Sequence, residues 1–103
     1  MVASRLSMIL TKEELSRLSI RENSGSELRI VADVHGMKCV QVRRLINNII
    51  SIVRGAFQLI IIHGYNHGTA IRDMLENDFN NEHISESFIE PYNLGVTHMV
   101  IAA

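Results

Sequence analysis

Two hydrophobic periods alternate along this chain. Glu27 to Val34 (ELRIVADV) places apolar residues at every second position and is rich in Ile and Val, which predicts a strand. From about Cys39 to Arg54, Val42, Leu45, Ile46, Ile49, Ile50 and Val53 recur at three- and four-residue intervals. That is the stripe of an amphipathic helix, and Gly55 supplies a left-handed stop. Gln58 to His63 carries four successive apolar residues, Leu59 to Ile62, and predicts a central strand buried on both faces. A second helix runs from Thr69 or Ala70 to about Phe79, burying Ile71, Met74, Leu75 and Phe79. Two further strands, near Ser85 to Glu90 and Val96 to Ala102, flank the turn-like Pro91 to Gly95.

Ahead of these elements, Thr11-Lys12-Glu13-Glu14 has the spacing of a capping box, and Leu10 and Leu15 that of a hydrophobic staple. A short helix to about Ser19 follows. The loop-forming Glu22 to Ser26 divides an N-terminal arm, residues 1–26, from a main domain, residues 27–103. The predicted fold class is α/β: a two-layer β-α-β-α-β-β sandwich, with a four-stranded mixed sheet whose last strand is antiparallel, plus the helical arm. Right-handed crossovers put both main helices on one face of the sheet. Met1 to Ile20, through Leu6, Met8, Ile9, Leu10, Leu15 and Leu18, is expected to cover the other face or to form a homodimer contact.

At 103 residues and 47% hydrophobic, the chain has room for one domain. Its single cysteine, Cys39, excludes an internal disulfide and reads as a small buried residue compatible with a reducing compartment. Met1 to Leu10 lacks the continuous apolar centre of a secretory signal and no segment is long enough to span a bilayer, so a cytoplasmic protein with no membrane partner is expected. The net charge of −1 hides an asymmetry, because all ten Lys and Arg lie between Arg5 and Arg72, whereas six acidic residues and no basic one follow from Asp73. Such charges are either ordinary solvated faces or a basic footprint for a partner.

Candidate chemistry gathers at two His-Gly pairs, His35-Gly36 and His63-Gly64, each ending a strand just before a helix. In open parallel sheets that edge is where ligands usually bind. Asp33 and His35 lie two apart, so their side chains can leave on one face, where a carboxylate orients an imidazole for general base work. Alternatively, Asp33 caps the turn and His35 bonds a carbonyl. The loop His63-Gly64-Tyr65-Asn66-His67-Gly68 feeds the second helix, whose first N–H groups can receive an anion, with Arg72 placed to pair with phosphate. It also reads simply as a glycine-turned connection. His35, His63, His67 and Asp33 are numerous enough for a transition metal, but their spacing is not that of a metal motif, so no metal ligand is assigned. His83 and His98 read as structural or solvent-exposed.

With these pairs placed, Ala32-Asp33-Val34-His35-Gly36 resembles the LDLHG motif that opens the Smr, or small MutS-related, domain family. Ile60-Ile61-Ile62-His63-Gly64 resembles that family's second strand and glycine loop. Asn93-Leu94-Gly95-Val96-Thr97 resembles its closing N-x-G-x-T segment. The resemblance spans Ile30 to Ile101 in family order. It implies a two-layer fold similar to the C-terminal domain of a bacterial translation initiation factor, and an association with nucleic acids. Some family members nick DNA, some cleave RNA, and others only bind.

The loop departs from the commoner H-G-x-G-x-G, since Tyr65 stands where a basic residue is frequent and Asn66 where the middle glycine is expected. Lys38 stands where the family often has a Thr helix cap. Carried onto this chain, the resemblance implies Asp33, His35 and His63 as catalytic residues. The glycines, the helix start and Arg72 make Gly36, Gly64, Tyr65, Asn66, His67, Gly68 and Arg72 the expected phosphate or nucleic-acid contacts, with Tyr65 offering a ring to stack on an unpaired base in place of the family's basic side chain. A divalent Mg or Mn ion is compatible with such chemistry and not required by it. The alternatives are a module that binds RNA, DNA or phosphate without cutting, and a protein interaction or dimerisation module.

Overall fold

The computed structural model describes residues 2–22, 27–53, 55–64 and 68–102. Among them the chain forms α1 (Val2–Ser7), α2 (Lys12–Ser16), β1 (Leu18–Glu22), β2 (Leu28–Asp33), α3 (Cys39–Ile52), β3 (Phe57–Ile62), α4 (Ala70–Asn77), β4 (Ile84–Glu90) and β5 (Asn93–Ile101). The fold is α/β with a five-stranded mixed sheet, ordered β1-β2-β3-β5-β4. Only β2 and β3 are parallel neighbours; β1 pairs antiparallel with β2, and β5 lies antiparallel between β3 and β4. The final strand thus enters the sheet interior, through a hairpin that turns at Pro91-Tyr92.

The sheet has five strands rather than four because the N-terminal stretch contributes one. The helix expected to reach Ser19 stops at Ser16, and Leu18–Glu22 becomes an edge strand. The capping box at its start is present: Thr11 Oγ1 accepts the Glu14 N–H at 3.1 Å, and Glu14 Oε1 accepts the Thr11 N–H at 2.8 Å. Alternation overrides the helix pattern after it. Leu18 and Ile20 face the core side while Ser19 and Arg21 face away, and β2 offers free backbone groups to pair. A further helix, α1, went unforeseen; it packs on α3 and sends Val2 and Leu6 into the core, joined by Leu10 from the turn after it. The N-terminal stretch is therefore continuous with the domain.

One cluster holds the core. Val42, Leu45, Ile46, Ile49 and Ile50 of α3 meet Ile30 and Ala32 of β2, Leu59 and Ile61 of β3, Met99 and Ile101 of β5, and Ile71, Met74 and Leu75 of α4. A fully buried Leu or Ile side chain contributes roughly 1.5–3 kcal/mol before chain entropy is set against it. The expectation that β3 is buried on both faces is not met, for its residues alternate between buried Phe57, Leu59 and Ile61 and half-exposed Gln58, Ile60 and Ile62. Nor does α1 lie on that second face. Gly55, beyond the α3 end, has φ 108°, a left-handed conformation that favours glycine. No described helix is long and apolar enough to cross a membrane.

Candidate active site at the strand ends

Because β2 and β3 run parallel in register, with Asp33 level with Ile62, their carboxyl ends finish side by side. The chain leaves both ends through glycines of positive φ, Gly36 at 79° and Gly64 at 73°. A Cβ placed on Gly64 would lie 3.9 Å from the His35 Cβ, so the two turns touch. Between them and the start of α4 lies a cleft of about 650 Å³, lined by His35, Gly36, His63, Gly64, Gly68 and Arg72 among others. Six of the sequence-predicted site residues meet there. Asp33 joins through His35, whereas Tyr65, Asn66 and His67 lie outside the described residues.

Asp33 and His35 form a dyad. The His35 Nδ1 lies 2.5 Å from Asp33 Oδ1, and the same oxygen accepts the His35 backbone N–H at 3.3 Å. A carboxylate accepts, so Nδ1 carries a proton, and in the neutral ring the lone pair is on Nε2. Nε2 has no partner among the described residues, and the side chain is 68% exposed. The pair is thus an oriented imidazole with a free basic nitrogen at the cleft.

Arg17 holds this turn from behind. Its Nη1 donates to the carbonyls of Asp33, at 3.2 Å, and His35, at 3.1 Å, while its own carbonyl accepts the Asp33 N–H at 2.9 Å. Sequence reasoning missed this residue because it treated the arm as separate. The available signal was a lone arginine between the α2 helix and an alternating segment.

His63 has the opposite environment. Only 6% of it is exposed, its Nδ1 donates to the Gly64 carbonyl at 2.9 Å, and its Nε2 accepts from the Thr97 hydroxyl at 2.8 Å. Both ring nitrogens are occupied. The turn itself hangs on β5, where the Gly95 carbonyl accepts the N–H groups of His63 and Gly64 at 2.9 and 3.0 Å, and Asn93 Oδ1 accepts the Gly95 N–H at 3.1 Å. Asn93, Gly95 and Thr97 therefore act together on the His63 turn. Their every-second-residue spacing, one face of a strand, was the sequence signal.

At the far wall of the cleft, α4 starts without a side-chain cap: Thr69, at its N-cap, turns its hydroxyl to Asp73 Oδ2 at 2.9 Å. The first backbone N–H groups of such a helix favour an anion. Arg72 lies in that first turn with its side chain 26% exposed, and its buried Nε–H has no hydrogen-bond partner, the nearest carboxylate oxygen of Asp73 being 3.7 Å away. Among the described residues no three His, Cys, Asp or Glu side chains converge on a metal position, so they form no all-protein cage; Asp33 is the carboxylate at this edge that an Mg or Mn ion, usually held by one or two carboxylates with water and phosphate, would use. His83 is half exposed beside Glu82, and His98 bonds Glu90 on the sheet, both away from the cleft. Compared with known proteins, the chain matches no family model, no curated protein and no solved structure.

Proposed function

We propose that this chain is an Smr-type domain that binds nucleic acid and cleaves phosphodiester bonds at the strand-end cleft. The observation that carries the reading is the Asp33-His35 dyad, whose free Nε2 stands at a cleft that also presents Arg72 and an uncapped helix start. Asp33 orients the ring and stabilises the imidazolium that forms. Nε2 takes the proton of the nucleophile, a 2′-hydroxyl in RNA or a water in DNA. The nucleophile's oxygen bonds phosphorus, the P–O bond to the leaving sugar breaks, and that oxygen takes a proton from solvent. Arg72 and the first N–H groups of α4 hold the charge that gathers on the phosphoryl oxygens. His63 positions its turn.

The Gly95 carbonyl and the Thr97 hydroxyl on the His63 turn, with Asn93 fixing Gly95, support the family assignment, since they tie the closing segment to the glycine loop that it accompanies in the motif. The test is to incubate the chain with end-labelled single-stranded and hairpin RNA and DNA, with and without Mg or Mn. Cleavage with a 2′,3′-cyclic phosphate product is expected from RNA; intact substrates under every condition contradict it. A second reading, binding without cleavage, is favoured by the occupied ring of His63, which among the described residues of the cleft leaves His35 as the one free imidazole. Under that reading salt-sensitive binding weakened by Arg72→Ala persists while no product forms.

A further inference from the structure

The sheet face turned away from the core carries two level rows of side chains. Cross-strand register aligns Arg21, Arg29, Gln58, Val100 and Glu86 from β1 to β4, and Ser19, Val31, Ile60, His98 and Phe88 in the adjacent row. Its centre sets half-buried Val31, Ile60 and Val100 beside the polar Gln58 and His98, and Phe88 is exposed. Glu13 and Ser16 of α2 border one corner, beside Ser19 and Val31; the core helices α1, α3 and α4 sink their apolar residues into the opposite face. On this face the arginines Arg21 and Arg29 stand on β1 and β2, and the carboxylates Glu86 and Glu90 on β4.

Arg21 and Arg29 are direct cross-strand partners on this face. Like charges so placed repel. Among the described residues neither arginine has an ion-pair partner, and neither has Glu86.

We propose that this face binds a second copy of the chain, with a two-fold axis running along β3. Because β3 is the middle of five strands, that rotation lays β1 of one copy over β4 of the other and keeps each row level. Arg21 then meets Glu86 of the second copy, twice, and Arg29 lies one strand away from it. Ile60 meets Ile60 at the axis, in the aligned face-to-face packing usual for sheets. The register places the two repelling arginines where an unpaired carboxylate arrives. A face about 19 Å wide and about 17–20 Å long covers roughly 320–380 Å² on each copy, about 650–760 Å² in total, which is the size of a weak, transient contact rather than of a permanent dimer. This arrangement does not rest on cleavage chemistry, but it points both strand-end clefts toward the same end of the dimer.

Sedimentation velocity on the full chain from about 5 μM to about 1 mM tests it, a range wide enough to show weak self-association. Arg21, Arg29 and Glu86 are exposed, so their substitution leaves the fold measurable by circular dichroism. The pair R21E/R29E, and separately E86K, should each raise the dissociation constant at least about tenfold, and the triple variant R21E/R29E/E86K should bring it back to within about threefold of the original. A chain that stays monomeric to about 1 mM overturns the proposal, as does a dimer indifferent to charge reversal or unrestored by the triple variant. Loss of affinity for a single-stranded oligoribonucleotide in R21E/R29E, with the original chain monomeric, assigns the face to nucleic acid instead and equally overturns it.

Discussion

His35-Gly36 and His63-Gly64 read alike in sequence and finish adjacent parallel strands, yet one imidazole is free and the other is locked. The cause is an offset of one residue. Asp33 is level with Ile62, so Val34, not His35, is the structural counterpart of His63, and the Val34 N–H donates to the Ile62 carbonyl at 2.9 Å. Since side chains alternate faces along a strand, His63 follows Ile61 into the core as Val34 follows Ala32. His35, one step further, leaves with Asp33 toward solvent. Shared motif chemistry therefore does not imply shared function when the register differs.

The contrast is broken or sharpened most by substituting the free histidine. His35→Ala should lower the cleavage rate about 10²- to 10⁴-fold while shifting unfolding free energy by less than about 0.5 kcal/mol, read from product formation and urea unfolding on one preparation. His63→Ala should do the reverse first. It leaves a cavity, an unpaired buried Thr97 hydroxyl and a freed Gly64 carbonyl, so urea unfolding should show a loss of roughly 2–4 kcal/mol. Any activity change should scale with the unfolded fraction.

Smaller effects test the supports of each turn. Arg17→Ala removes two charge-assisted bonds to the His35 turn, costing about 1–2 kcal/mol in urea unfolding and slowing cleavage more than it weakens binding. Arg72→Gln should weaken oligonucleotide binding severalfold and lower the slope of log affinity against log salt by about one, with stability little changed. A salt slope that does not move would detach Arg72 from the phosphate.

Much of the fold was legible because its signals were periodic. The α3 stripe from Val42 to Val53, the α4 trio Ile71, Met74 and Leu75, and the strand alternation from Leu28 to Ala32 all fall where patterning places them. Leu18 to Glu22 was not legible. A five-residue segment after a capped helix reads equally as its continuation, and only pairing with β2 decides between them. Within the site, the residues were legible and their roles were not. Asp33 and His35 share a face by simple alternation, but the burial of His63 depends on which β3 residue lies level with Asp33, and Thr97 enters only through a strand 34 residues later. Arg17 acts through backbone carbonyls, so its place between α2 and an alternating segment did not by itself point to the His35 turn.

The most direct test of one free and one locked imidazole is a long-range ¹H–¹⁵N correlation spectrum of the histidine rings, recorded while a single-stranded oligoribonucleotide is added. His63 should hold the Nδ1–H tautomer throughout with unmoved resonances, while the His35 ring nitrogens shift as the oligonucleotide binds. A shifting or tautomerically mixed His63 beside an unmoved His35 would contradict the account.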